Sequence, residues 1–311
     1  VVAMHGTGFL DDPPGRTQMA HLAEHLRITA AAGAHGPGER WAALQAIGSS
    51  NGETQPTYTS YDHLVPADRL RTVLETEADR LGSLRITAAD VAREAPRTAH
   101  EARMIAARPE PMLHKFALMA AAQGWAHDRG HAAVLTEPAA VTAEEATAFL
   151  ARHAGPATFD LLVVGDVDPA AVRALAEETV GAVAGAPPAA REPDRGIDWS
   201  GQPAVRRMSW DLPHAAVIVA HAPRPELAED AFARLATTAA AAALPATLNA
   251  DPPPSLYPVL TTFTGWPAGE LPVLAVGIVR TGRSADDAAA ELIERLDEVA
   301  ARGLPPMLAF G

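Results

Sequence analysis

The 311-residue chain contains no cysteine. No disulfide can staple it and no thiolate can hold a metal, so any metal must be bound by histidine and carboxylate. A cysteine-free chain points to the cytoplasm as the default compartment. Positive charge is also scarce: 25 Lys and Arg stand against 38 Asp and Glu, a net charge of −13. That balance argues against nucleic acid and anionic membranes as partners. Long apolar runs are missing too, since none reaches the roughly 20 residues a membrane span needs. The opening stretch VVAMHGTGF lacks the charged and then apolar segments of a secretory leader. It starts abruptly in strand-like sequence, as a chain with residues missing upstream would. What remains is 48% hydrophobic and 20% charged, a globular balance in a chain long enough for two domains.

Along the chain, VVAMHG reads as a strand ending at a glycine, and DDPPGRT as a turn. QMAHLAEHLRITAAA follows as a helix, broken by AAGAHGPGE. PTYTSYDHLVP has strand composition, and Leu70, Val73, Leu74 and Leu81 recur at helical spacing up to Gly82. A second amphipathic stretch runs from TAAD through VAREAPRTAHEARMIAARPE. TAEEATAFLARHAG predicts a helix with Thr142 as N-cap and Glu145 three residues on. TFDLLVVGDV predicts a buried strand and DPAAVRALAEETVGAV the helix after it. A stretch rich in Pro, Gly and charge then suggests a linker at 186–203, separating domains at 1–185 and 204–311. The second half repeats the strand-then-helix rhythm, with strands in AVRRMSWDLPHAAVIVAHAP and VLAVGIV and helices in EDAFARLATTAAAAAL and SADDAAAELIERLDEVAA. The residues thus give α+β or α/β architecture in two pieces of similar size.

One segment carries chemistry. In HLAEH, residues 21–25, a helix places His21, Glu24 and His25 within about 100° of one another. Two imidazoles on successive turns can reach one metal ion, and Glu24 lies beside them, off the metal axis, where it can hold a water. That is a zinc-hydrolase arrangement, with two histidine ligands, a general base and a third ligand from elsewhere. The bland alternative is a pair of satisfied core histidines, which the interposed glutamate makes hard to sustain. Other features are weaker. Gly130 makes the HDRGH stretch, His127 to His131, turn-like, so it is not read as a metal site. His5 and His35 sit beside glycines and are expected to face solvent. Trp266 reads as a loop aromatic, and the alanine run 239–243 as a packed helix face.

H-x-x-E-H is the inverzincin signature. GRTQMAHLAEHL resembles the corresponding segment of the insulinase/pitrilysin metallopeptidase family, with Gln18 where that family usually has glycine. In the family the third zinc ligand is a glutamate on a later helix, with a further glutamate seven residues before it. REAPRTAHEARM matches this: Glu101 lies 76 residues after His25, and Glu94 lies seven before Glu101. The resemblance therefore implies Zn²⁺ held by His21, His25 and Glu101, with Glu94 orienting a ligand. SSNGETQPTYTSYDHLVPADRL resembles the family's edge strand, which makes Asn51, Gly52, Glu53 and Thr54 candidates for binding peptide by β-addition. LETEADRL and FDLLVVGDVDPAAVRAL resemble further family segments.

The family fold so implied is α+β: two similar domains, each a mainly antiparallel sheet packed with helices, forming half of a clamshell. The implied activity is zinc-dependent hydrolysis of short unstructured peptides inside a chamber, such as a leader peptide, with Glu24 as base. The second domain departs from the pattern. Family members commonly supply an Arg and a Tyr there to grip substrate. Tyr257 in NADPPPSLYPVLTTF is the candidate Tyr, but no Arg precedes it at a fitting distance, and the layout stops short of a full half-domain. Either a related subunit, in a homo- or heterodimer, is expected to supply the Arg/Tyr element, or segments are absent from the chain. Two rival readings remain: a catalytically inactive binding or structural subunit of the same fold, and a non-peptidase metal hydrolase sharing the helix by convergence.

Overall fold

In the computed structural model the described residues are 1–13, 15–55, 57–106, 140–185, 205, 207, 214–221, 231–264 and 273–303. They divide into two compact units, one drawn from 1–104 and 125–192 and the other from 105–124 and 193–311. The expected linker at 186–203, HDRGH and Trp266 lie outside the described residues.

In the first unit the strands are β1 (Val2–His5), β2 (Ala31–Ala32), β3 (Ser49–Thr54), β4 (Thr59–Leu64), β5 (Leu84–Arg85) and β6 (Phe159–Leu162). The helices are α1 (Met19–Thr29), α2 (Glu39–Ile47), α3 (Leu70–Gly82), α4 (Ala88–Ala106), α5 (Ala143–His153) and α6 (Pro169–Glu178). The main sheet has the order β3-β4-β1-β6 with every pair antiparallel, and β2 pairs with β5. The α+β class with antiparallel sheets is therefore observed. Most expected elements appear where the periodicity puts them. Thr142 and Glu145 close a reciprocal capping box: Glu145 N donates to Thr142 Oγ1 at 3.2 Å and Thr142 N to Glu145 Oε2 at 2.9 Å.

Three expectations are corrected. β6 is last in its sheet among the described residues, and Leu162 and Val164 are exposed rather than buried. His5 is fully buried, its ring packed at 5.3 Å from Phe159. Of the alanine run, only Ala241 is buried. Helix α2, which no pattern in the sequence predicts, buries only Leu44; one buried side chain leaves no periodicity to find.

Helix α1 sets the architecture of this unit. Met19, Ala20 and Ala23 pack on Phe149, Leu150 and Ala154, while Leu22 and Leu26 pack on Val91, Ala143 and Ala146. The helix also carries buried His21, Glu24 and Arg27, so it is enclosed on nearly every side and its polar groups need protein partners. Its N-terminus is capped from a distance. Asp12 Oδ2 accepts from Gln18 N at 2.8 Å and Oδ1 from Ala20 N at 2.7 Å. Arg16 then ties the preceding loop to α5 through Glu145, at 2.9 Å.

Arg27 enters a buried network behind the sheet. Its Nη1 donates to Ala154 O at 3.1 Å and its Nη2 lies 3.9 Å from Glu77 Oε2. Glu77 Oε1 also accepts from Arg80 at 2.5 Å and faces His63 Nε2 at 3.3 Å. Both guanidiniums lie over the Tyr61 ring, at 5.5 and 5.8 Å. Burial alone would push the Glu77 carboxyl up, but Arg80, His63 and Arg27 more than offset it and hold it well below the ordinary range.

In the second unit β7 (Ala216–His221), β8 (Thr261–Thr264) and β9 (Val273–Ile278) form an antiparallel sheet in the order β7-β9-β8. Helices α7 (Ala231–Ala250) and α8 (Ala285–Arg302) accompany it. Leu248, Leu256, Ala275, Leu292 and Leu296 are among its core residues. Ser284 caps α8, accepting from Asp286 N at 3.1 Å and Asp287 N at 3.2 Å.

The network makes a prediction about acid stability. A carboxyl depressed in the folded state stabilises above its unfolded pKa of about 4.3, and that contribution is lost as pH falls toward the folded value. Denaturant unfolding between pH 6 and 3 is expected to show stability falling steeply below about pH 4.3. Glu77→Gln should flatten that fall and cost about 3–5 kcal/mol at neutral pH, because two buried guanidiniums lose their anion.

Candidate metal centre

The first two ligand candidates come from α1. His21 and His25 are one turn apart, and their rings stand 4.9 Å apart at 85°. Phe9 meets the His21 ring edge-on at 6.3 Å. Helix α4 supplies the third. It begins at a Thr87–Asp90 capping pair, with Thr87 N donating to Asp90 Oδ2 at 2.9 Å and Asp90 N to Thr87 Oγ1 at 3.3 Å. It carries Pro96 between Glu94 and Glu101. Seven residues are nearly two turns, so both glutamates project toward α1 from the same face.

The three groups converge on one point. His21 Nε2 is 3.4 Å from Glu101 Oε2, and His25 Nε2 is 3.3 Å from the same oxygen. One ligand atom from each residue lies within 4.8 Å of the others. His21 is buried and Glu101 is half exposed, so the cluster opens on one side. The contact with His21, opposed by partial burial and helped by His25, holds the Glu101 carboxyl below its usual range. Two imidazole nitrogens, one carboxylate oxygen and no sulfur are donors of the kind that could hold a zinc ion.

The outward nitrogens are free to bind because the inward ones are engaged. His25 Nδ1 faces Glu94 Oε2 at 3.4 Å. Glu94 is fully buried, and its other oxygen accepts from Arg93 Nε at 2.9 Å. His21 Nδ1 meets Gln18 Oε1 at 2.8 Å.

Glu24 is buried beside the cluster, and that burial pushes its carboxyl above the usual range, with His21, Thr54 and His25 opposing. Thr54 Oγ1 donates to Glu24 Oε2 at 2.7 Å. Of the four edge-strand candidates, Thr54 therefore has its hydroxyl turned to Glu24 rather than outward. Gly52 also faces Glu24: a Cβ built there would stand 2.6 Å from Glu24 Oε1 and 2.8 Å from Ile28 Cδ1. Asn51 and Glu53 alternate with these two and are exposed. Strand β3 pairs only with β4 among the described residues, with Gly52 opposite Tyr61, so one edge of its backbone is unpaired there.

Tyr257 belongs to the second unit. Its hydroxyl lies 3.4 Å from Thr281 Oγ1, a contact that lowers its pKa, and the Arg280 guanidinium sits over its ring at 5.3 Å. An arginine does stand beside this tyrosine. It follows Tyr257 in sequence by 23 residues, across a sheet pairing that spacing rules do not reveal. Gln18 and Asp12 were missed as well. The Asp12 carboxylate and the Gln18 amide act at the start of α1, and the only sequence sign was Gln18 standing where the resembled family has glycine.

No protein-family model matches the sequence, and no curated protein matches it. Solved structures do. A protease from Helicobacter pylori superposes with TM-score 0.79 at 17% identity, covering 99% of this chain and 75% of its own. A peptidase M16 inactive domain from Pseudomonas fluorescens gives TM-score 0.73 at 14% identity, with 99% and 75% coverage. Pitrilysin gives TM-score 0.65 at 14% identity, and the chain covers only 34% of its length. The chain thus has the insulinase/pitrilysin fold, which is that of the M16 peptidases. Among the described residues, no helix is long and apolar enough to cross a membrane.

Metal analysis tests the centre. The purified chain is expected to hold about one zinc. His21→Ala and Glu101→Ala should each weaken zinc binding by more than about tenfold, read by competition with a chelating dye. Full occupancy in Glu101→Ala would place the third ligand elsewhere.

Proposed function

We propose that this chain, built on a pitrilysin-type fold, is a zinc-dependent endopeptidase. One observation carries the reading: His21 Nε2, His25 Nε2 and Glu101 Oε2 converge while a buried carboxylate, Glu24, is held beside them by Thr54. Zinc, when bound, would polarise a peptide carbonyl and bring the pKa of water toward ~7. The chain's own residues supply the rest. Glu24 Oε2 is engaged by Thr54, which leaves Oε1 to take a proton from the attacking water as its oxygen bonds to the carbonyl carbon. The C–N bond then breaks and Glu24 passes that proton to the leaving amine. The raised Glu24 carboxyl suits a group that both accepts and returns a proton.

The unpaired edge of β3 suits an extended peptide, whose backbone would pair alongside Asn51 to Thr54. Substrates would be short and unstructured, such as a leader peptide, admitted to a chamber completed by a related subunit. In that assembly Tyr257 and Arg280 are this chain's candidates for the substrate-gripping pair. The rival is an inactive binding or structural subunit, and the likeness to an inactive domain from Pseudomonas fluorescens keeps it in view.

Two variants separate the readings. Glu24→Gln should keep zinc and lose peptide cleavage by about 10²–10⁴-fold, measured on a fluorogenic peptide library. Retained cleavage would remove Glu24 as base, and no cleavage by the parent with any partner would favour the inactive subunit. Gly52→Ala should leave zinc content unchanged but lower kcat by more than about tenfold, because the new methyl displaces Glu24 Oε1. Unchanged turnover would show that the base tolerates the shift.

A further inference from the structure

Resting on the zinc reading, we propose that Gln18 is a positioning residue that locks His21 in its metal-binding tautomer, as Glu94 does for His25. Gln18 has φ 65°, and it is the one non-glycine residue with positive φ among those described. A residue with a side chain adopts that left-handed conformation only at a cost, and such strain clusters at functional sites. The side chain is also buried, at 2% exposure. Its amide oxygen lies 2.8 Å from His21 Nδ1.

That contact has a chemical consequence. An amide oxygen can only accept, so His21 must carry its proton on Nδ1. The lone pair then resides on Nε2, the nitrogen that faces Glu101 Oε2 at 3.4 Å. His25 has the same division of labour, with Nδ1 toward Glu94 at 3.4 Å and Nε2 toward Glu101 at 3.3 Å. Each ligand histidine thus has one acceptor behind it.

The two acceptors differ in charge for a local reason. Glu94 is buried with Arg93 at 2.9 Å and Arg97 at 3.6 Å as counter-ions. Glu24 and Glu101 already bring two further carboxylates to the cluster. A neutral acceptor at position 18 fixes the tautomer without burying a fourth negative charge. The left-handed turn keeps the Gln18 backbone N–H on Asp12, at 2.8 Å, while its side chain reaches along the helix to the residue three positions later.

The test uses the full chain with Gln18→Gly and Gln18→Glu. Zinc affinity is read by competition with a chelating dye, and melting temperature is read on the metal-free protein. Gln18→Gly should weaken zinc by about 10–100-fold. Its metal-free form should melt no lower than the parent, because glycine relieves the left-handed strain. Gln18→Glu retains an acceptor at the same reach and should restore zinc binding toward the parent level. A purely structural role would instead lower the melting temperature of Gln18→Gly, and that result overturns the proposal. Parental zinc affinity in Gln18→Gly, or equal loss in both variants, overturns it as well while leaving the zinc centre standing. A parent that binds no zinc overturns the zinc reading, and this inference with it.

Discussion

Helix α1 is buried on almost every side and yet carries two ionisable groups and an imidazole inward. Each has a partner of complementary charge or polarity nearby. Arg27 is met by Glu77 and the carbonyl of Ala154, Glu24 by Thr54, and His21 by Gln18 and Glu101. Unpaired buried charge costs several kcal/mol or more, so these partners set where the sheet, α3 and α4 must lie. The small side chains Ala20 and Ala23 let α5 approach closely, and the bare Cα of Gly52 does the same for β3.

The helix also keeps opposite charges apart. Arg27 belongs to a cationic network with Arg80, where one carboxylate serves two guanidiniums and the Tyr61 ring takes up part of the remainder. Glu101 approaches the histidines from α4 and Glu24 lies beside them against β3, where a divalent cation would be the natural counter-charge. The first network is closed and depends on burial. The second is open on the side of the half-exposed Glu101. One element thereby couples the stability of the unit to the placement of its candidate chemistry.

The sequence revealed those parts of the site whose geometry is local. A turn of helix brings His21 and His25 together whatever surrounds them, and HLAEH states it outright. Glu101 and Glu94 became legible through their spacing within a resembled family, and the structure brings Glu101 to both histidines and Glu94 to His25. What stayed hidden depends on tertiary pairing or backbone conformation. Asp12 caps α1 from six positions upstream of Gln18, and Arg280 reaches Tyr257 only because the chain folds back on itself. His5 sits beside a glycine like any surface turn residue, yet it packs against Phe159. β6 has the composition of a central strand but stands last in its sheet among the described residues, because composition records propensity and not neighbours.

The converging donors are nitrogen and oxygen only, in a chain without a single thiol. Thiolate metal sites fail when oxidants convert sulfur to disulfide or sulfinate. Imidazole and carboxylate have no such ladder to climb. Occupancy of this centre would therefore follow proton and metal activity alone, and would be indifferent to the redox poise of its surroundings.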